Sequence, residues 1–239
     1  TVPRRSLNTQ QMKKISFDPH RQAHFAHFNG MASPHFGITA EVDITVFLDC
    51  VRRSPTLRFT PAIVYLISRA AMEVTPFRWR IRRCEGEDEG AVEVVEHGNL
   101  RPSFTVPTSE SSAFSFCTVP YDEDPLVFHE VANTTMERMK NEPSFEDEPG
   151  ADDYLFLSTF PWASFTNVTH AMPEAESGDS IPRIVWGKYH NVGGSVMMPL
   201  AVQAHHAVVD GSDLGRYYER IQLLLNKSEE IFELFSGNL

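Results

Sequence analysis

The stretch from Met197 to Leu225, MMPLAVQAHHAVVDGSDLGRYYERIQLLL, changes period once, and that change limits what the chain can fold into. Its first half is a run of apolar and β-branched residues, the pattern of a buried strand. The run reaches His205 and His206, and Asp210 and Gly211 follow. Beyond them Leu214, Tyr217, Tyr218, Ile221, Leu224 and Leu225 recur at helical spacing, with Ser212 and Asp213 as start signals. The pattern predicts a strand that delivers a histidine to a tight turn, and a helix that leaves the turn. A histidine there suits general-base work, because its unperturbed pKa is about 6.5. A buried structural histidine beside a turn aspartate is the competing reading.

The chain has 239 residues and no internal linker, so it reads as one domain over residues 16–228. A polar N-terminal extension (1–15) and a C-terminal tail (229–239) flank it. The formal net charge of −11 argues against a nucleic-acid partner, since phosphate binding needs a basic face. Much of the acid is local: Glu85 to Glu89 and Glu142 to Asp153 read as solvated loops. Three cysteines, Cys50, Cys84 and Cys117, none in a CxxC, argue against a disulfide framework or zinc knuckle and for a reducing cytoplasm. No apolar run reaches membrane-spanning length, and the N-terminal stretch lacks the apolar core of a secretory signal.

Taken in order, Asp18-Pro19 starts a helix that carries Arg21, His24, Phe25 and Phe28. His20 and His24 lie one turn apart, which permits a metal site, but no carboxylate or cysteine stands at matching spacing; no metal is expected. A strand is read over 36–47, a helix from Phe47, and a second helix over 59–74, apolar all round and therefore buried. Strands follow at 77–81, 92–95, 103–106 and 113–119, with a turn at 108–112. An amphipathic helix spans 124–140. A strand is read over 153–167 and another over 181–189, before a hairpin turn at Gly193-Gly194. Irregular alternation with many antiparallel turn signals is the mark of an α+β fold.

HHAVVDG resembles the HHxxxDG signature of acyl-CoA-dependent acyltransferases, and its flanks resemble one branch of them, the chloramphenicol acetyltransferases. Four further segments carry the likeness: Arg21-Gln22-Ala23-His24-Phe25, Asp43-Ile44-Thr45, SFTVPTSESSAFSFCTVPY, and Ser158 with Pro161, Trp162 and Phe165. Together they run from about Ser16 to Leu225. The resemblance implies a two-layer sandwich, a mixed β-sheet with helices packed on one face, assembled as a homotrimer with active sites between subunits. It implies acetyl-CoA as acyl donor and chloramphenicol as leading acceptor, acetylated at its 3-hydroxyl, which is antibiotic inactivation and a resistance function.

Within that resemblance His206 is the general base in a ternary complex and Ser158 the donor to the tetrahedral oxyanion. Asp210 pairs with Arg21 and holds the turn that aims His206. Phe28, Phe36, Val185 and Phe165 line the acceptor, and Trp162 and Tyr189 face the acyl donor. Two positions depart from the better-known members. Phe28 stands where they carry an acceptor-binding tyrosine, and Val185 where they carry a threonine. Each change removes a hydroxyl, and with it some power to discriminate a hydrogen-bonding substrate. Another hydroxyl-bearing acceptor, or a catalytically weak homologue that binds CoA or a small molecule, therefore stays open.

Overall fold

The structure, a computed structural model, describes residues 12–84, 91–109, 112–172 and 178–233. The acidic stretch at Glu85 to Glu89 lies outside them, as do parts of the N-terminal extension, the turn at 108–112 and the C-terminal tail. The described chain opens on β1 (Lys13–Ile15) and α1 (Pro19–Asn29). Asp18 caps α1 as its sequence predicts: its carboxylate accepts from the N–H groups of His20 and Arg21, and proline takes the first helical position. β2 (His35–Asp43) follows. It stops at Asp43, short of the strand read to Phe47, because the Asp43 carboxylate accepts from both the N–H and the hydroxyl of Thr45 and turns the chain into α2 (Thr45–Arg53).

α3 (Phe59–Glu73) is buried all round from Pro61 to Ser68, as an apolar surface without a polar face requires. A single 3-10 turn (Thr75–Arg78) then leads to β3 (Trp79–Arg83); the proline at its start holds Phe77 and Arg78 out of the strand read there. β4 (Val92–Glu96), β5 (Arg101–Pro107), β6 (Phe114–Thr118) and α4 (Pro125–Asn141) come next. β7 (Tyr154–Phe160) ends where Pro161 lacks an N–H for the ladder, seven residues before the end of the strand read from sequence. β8 (Arg183–Gly187), β9 (His190–Val192) and β10 (Ser195–His205) follow. Gly193 and Gly194, both at positive φ, turn β9 into β10. The chain closes on α5 (Gly211–Asn226) and α6 (Ser228–Glu233).

Two sheets result. The large one runs β2-β10-β8-β7-β5-β6, with β9 paired to β10. β7 is parallel to both of its neighbours and the other pairs are antiparallel. The small sheet is β1-β4-β3. Alternation along the strands sorts side chains to two faces. Phe104, Val106, Leu155, Leu157, Ile184, Trp186, Met198, Leu200, Val202 and Ala204 join one core with residues of the helices. Ser103, Thr105, Phe156, Ser158, Arg183, Val185, Ala201 and Gln203 alternate with them and belong to the opposite face, which carries no helix in that core. That asymmetry is the α+β sandwich expected, with helices on one face.

Three segments differ from their sequence reading. Lys13 to Ile15, read as extension, pair with Glu96, Val95 and Val94 of β4. Phe232, read as tail, is buried in the core from α6 and packs its ring against Tyr65. The end of the acidic stretch 142–153 is engaged rather than solvated: Asp152 takes two hydrogen bonds from Arg82 and one contact from His97, and Asp153 takes two from Arg101. Burial pushes the Asp152 carboxyl up, yet the hydrogen bonds from Arg82 and His97 win and hold it well below the usual range. Beside it Arg80 is fully buried and spends its guanidinium on the carbonyls of Asp152, Phe77, Trp79 and Tyr154, stapling the small sheet to β7.

Candidate active site

His206 is the first residue past β10. Its N–H donates to the Pro34 carbonyl at 2.8 Å, and the N–H groups of Val208 and Val209 both return to the His205 carbonyl, closing the tight turn that the sequence predicts. The register of β10 on β2 sets His205 opposite His35 and Ala204 opposite Phe36. The imidazole of His206 thereby falls between two rings. Phe28 stacks at 3.8 Å between centroids and 13° between planes, and Phe36 at 4.2 Å and 25°. His24 meets the same imidazole edge-on at 5.7 Å. Nδ1 is buried with no hydrogen-bond partner among the described residues. Stacking on Phe28 and Phe36 holds the ring plane.

Asp210 is the N-cap of α5, two residues ahead of the first start signal read from sequence, Ser212. Its Oδ1 accepts from the Ser212 N–H at 2.8 Å, the Ser212 hydroxyl at 2.7 Å and the Asp213 N–H at 3.2 Å. Its own N–H donates to Asp213 Oδ2 at 2.9 Å, which completes a reciprocal capping box. Burial raises the Asp210 carboxyl, but those donors outweigh burial and hold it below the usual range, with Arg21 adding to them. The Asp213 carboxyl is pushed up by burial despite its own bond.

Arg21 reaches this turn from α1. Nη2 donates to the Val208 carbonyl at 2.7 Å, and Nη1 lies 3.6 Å from Asp210 Oδ2 and 3.3 Å from His24 Nδ1. The fork is divided between a carbonyl and a carboxylate rather than closed bidentately on Asp210, so Arg21 braces both sides of the His206 turn. Its guanidinium also sits over Phe17 and Trp79 at 5.6 and 5.9 Å. Burial lowers the His24 pKa, and the charge of Arg21 and the neighbouring His206 lower it further; His24 adds no fixed positive charge beside His206 at neutral pH.

Ser158 stands elsewhere, on β7, opposite Val185 of β8, with its hydroxyl 3.3 Å from that of Thr105. Its ring of neighbours and that of His206 share no residue among these contacts. Phe165 folds back on the end of β8, where Gly187 makes the space: a Cβ there would lie 2.7 Å from Phe165 Cε1 and 2.8 Å from Pro199 Cγ. Trp162 is 75 % exposed and meets Phe160 edge-on at 5.3 Å. Tyr189 is 40 % exposed, 6.2 Å from Phe59. Phe28 and Phe36, read as acceptor-lining, thus also act as the clamp of His206, while Val185 joins Ser158 and Phe165 approaches β8 from outside. Among the described residues no group of three potential metal ligands is found.

Sequence reading passed over a second histidine shell. His205 is buried, its Nδ1 accepts from the Ala207 N–H at 3.2 Å, and its ring meets His35 edge-on at 5.0 Å. Burial, then His35, push its pKa down to about 4, so it is neutral with its proton on Nε2. His35 Nε2 in turn lies 3.0 Å from the Asp179 carbonyl. The spacing of HH signalled a pair, but not which member would be structural.

The chloramphenicol acetyltransferase family model matches residues 12–222. A chloramphenicol acetyltransferase of Bacillus pumilus is 27 % identical over 221 residues, covering 91 % of this chain and 95 % of that protein. Chloramphenicol acetyltransferase 3 of Escherichia coli is 30 % identical over 208 residues, covering 86 % and 92 %. A solved chloramphenicol acetyltransferase structure superposes with a TM-score of 0.73 at 24 % identity, covering 89 % of this chain and 99 % of that one. With the strand–turn–helix around His206 and a family match over most of its length, the chain belongs to the chloramphenicol acetyltransferase family and is an acyltransferase.

Proposed function

We propose that the chain is an acetyl-CoA-dependent O-acetyltransferase with chloramphenicol as its leading acceptor, acetylated at the 3-hydroxyl and so inactivated. The observation that carries the reading is the imidazole of His206 clamped between Phe28 and Phe36 with Nδ1 buried, which leaves Nε2 to serve the substrate. An alcohol is a weak nucleophile at neutral pH, and a base aligned on its proton makes attack feasible. His206 Nε2 takes the hydroxyl proton as the oxygen bonds to the thioester carbonyl carbon. The carbonyl oxygen becomes an oxyanion, and the Ser158 hydroxyl donates to it, a contact worth about 2.7–4 kcal/mol in comparable sites. The tetrahedral intermediate then collapses, the carbon–sulfur bond breaks, and the CoA thiolate takes the proton back from His206. Acetyl passes directly between the two substrates, with no metal and no covalent acyl-enzyme. Asp210 and Arg21 work through the turn, which they hold from two sides. Trp162 and Tyr189 are exposed aromatic surface for the acyl donor, and Phe165 with Val185 for the acceptor.

Among the described residues of one chain the contacts of Ser158 and His206 do not meet, which supports a site completed by a neighbour in a homotrimer. Exposed Phe114, Phe145, Phe160 and Trp162 offer apolar area for that contact. Cys50, Cys84 and Cys117 form no disulfide, which suits a cytoplasmic location, and no helix among the described residues is long and apolar enough to cross a membrane. Mixing two inactive variants tests the shared site. His206→Ala and Ser158→Ala protein, dissociated and reassembled together, should regain chloramphenicol-dependent CoA release, because some sites pair an intact histidine with an intact serine. No recovery in verified mixed oligomers refutes the shared site. The second acceptor reading keeps support from Phe28 and Val185, whose side chains bring no hydroxyl to positions where one would select a polar acceptor.

A further inference from the structure

The helix-free face of the large sheet holds a cavity of about 460 Å³, with Ser158, Thr105, Phe116, Phe156, His170 and Arg183 on its walls. Arg183 is out of place by type. It opens β8, is only 9 % exposed, and pairs across the parallel ladder with Phe156, whose ring centroid lies 5.3 Å from the guanidinium carbon. A guanidinium carries five N–H donors. Nη1 spends its two on Ile181 O at 3.0 Å and Asp179 Oδ1 at 3.4 Å, and Nη2 spends one on Asp179 Oδ2 at 2.5 Å. The Nε–H and the second Nη2–H have no acceptor among the described residues. Two donors on a planar group beside aromatic walls form a fork for a planar ligand with two acceptor oxygens.

Charge narrows that ligand further. Asp179 already cancels the guanidinium, with both side chains largely buried at 11 % and 14 % exposure. Asp147 lines the same cavity and adds a carboxyl. A carboxylate would therefore enter beside a second acid and a guanidinium that is already paired, whereas a neutral nitro group keeps both hydrogen bonds without that repulsion. Ser158 lies opposite Val185, two residues along β8 from Arg183, so Ser158 and Arg183 belong to the same face of the sheet.

We propose that Arg183 is a specificity-determining residue of the acceptor cavity, where its two unspent N–H donors read a neutral, planar, two-oxygen substituent on an aromatic ring whose attached hydroxyl arm reaches Ser158. The proposal deepens the acetyltransferase reading and rests on it for the identity of the cavity. The probes are three phenylpropanediols that differ at one ring position: nitro, carboxylate or hydrogen. Calorimetry with CoA present measures the affinity of each for wild-type protein and for Arg183→Met/Asp179→Asn, which removes the pair without leaving a lone charge. The nitro probe should bind wild type about tenfold tighter than the hydrogen probe, with the carboxylate probe weaker than the nitro. In the double variant the nitro preference should fall to about onefold. Should that variant fail to fold by thermal melting, Arg183→Lys, which keeps the charge and loses the fork, should cut the preference at least about threefold. An unchanged nitro preference in a folded variant, tighter binding of the carboxylate, or no binding of any probe overturns the proposal. Binding is read without turnover. Preserved nitro preference without acetyl transfer would fail the reaction and spare Arg183; transfer without the preference would do the reverse.

Discussion

Replacing Asp210 in two ways separates its two tasks. Asp210→Asn keeps an oxygen that accepts from Ser212 and Asp213, since asparagine caps helices as well as aspartate. It loses the charge facing Arg21 at 3.6 Å and the charge at the α5 N-terminus. The Asp210 side chain is 34 % exposed, so solvent screening discounts the ion pair to the surface range, and Arg21 stays tied to Val208 O. The sum is a loss of about 1 kcal/mol. Asp210→Ala loses the cap bonds as well, for a total of about 2–3 kcal/mol. For a chain of this size, melting temperature should drop by about 2–4 °C for each 1 kcal/mol, read by scanning calorimetry at pH 7. Both variants should lose turnover, because the turn holding His206 loosens. Acid should reveal the charge term: a carboxyl held below its usual pKa contributes stability above the unfolded pKa of about 3.9, and that contribution fades as pH falls through the folded value. The Asn variant should therefore close its gap with wild type as pH falls below the usual carboxylate range. Equal losses in Asn and Ala would refute the division between cap and ion pair. So would full activity in a destabilised Ala variant.

Three further outcomes follow from the same geometry. His205 takes its proton only near pH 4 in the fold but near 6.5 in the unfolded chain. Between those values the unfolded state binds more protons, so stability falls as pH falls, by at most about 3 kcal/mol; urea midpoints should drop from pH 7.5 to pH 4.5, less steeply in His205→Gln, and equal slopes would contradict the assignment. Gly187→Ala would drive a Cβ against Phe165 and Pro199; the acceptor KM should rise severalfold with a smaller change in kcat, and an unaltered KM would remove Phe165 from the acceptor wall. Truncating the clamp, as in Phe28→Ala, frees one face of His206; kcat should fall at least about tenfold while acetyl-CoA affinity holds, and an unaffected kcat would show that stacking does not orient the base.

The parts legible from sequence are those whose causes are local. The period change at His205–Gly211, the Asp18-Pro19 helix start, the all-round apolar α3 and the Gly193-Gly194 hairpin each depend on residues a few positions apart, and each stands as read. The Asp210 cap was hidden because Ser212 and Asp213 are themselves helix-start residues, and only the turn geometry decides which carboxylate takes the N–H groups. The clamp of Phe28 and Phe36 depends on the β2–β10 register, which no spacing within either strand reveals. The engagement of Asp152 and Asp153 depends on arginines brought from β3 and β5; in one dimension such carboxylates look like solvated loop. Arg183 was invisible for a different reason. It sits in a short apolar strand, and only the cavity shows which way two of its donors remain unspent.

Acetyl transfer as proposed requires His206 as the base. The most direct measurement is chloramphenicol-dependent release of CoA thiol from acetyl-CoA, by wild type and by His206→Ala, with CoA affinity measured alongside. Removing a positioned general base should lower turnover by about 10²–10⁴-fold, with CoA affinity preserved. Comparable turnover in the alanine variant would contradict the mechanism, whatever the acceptor.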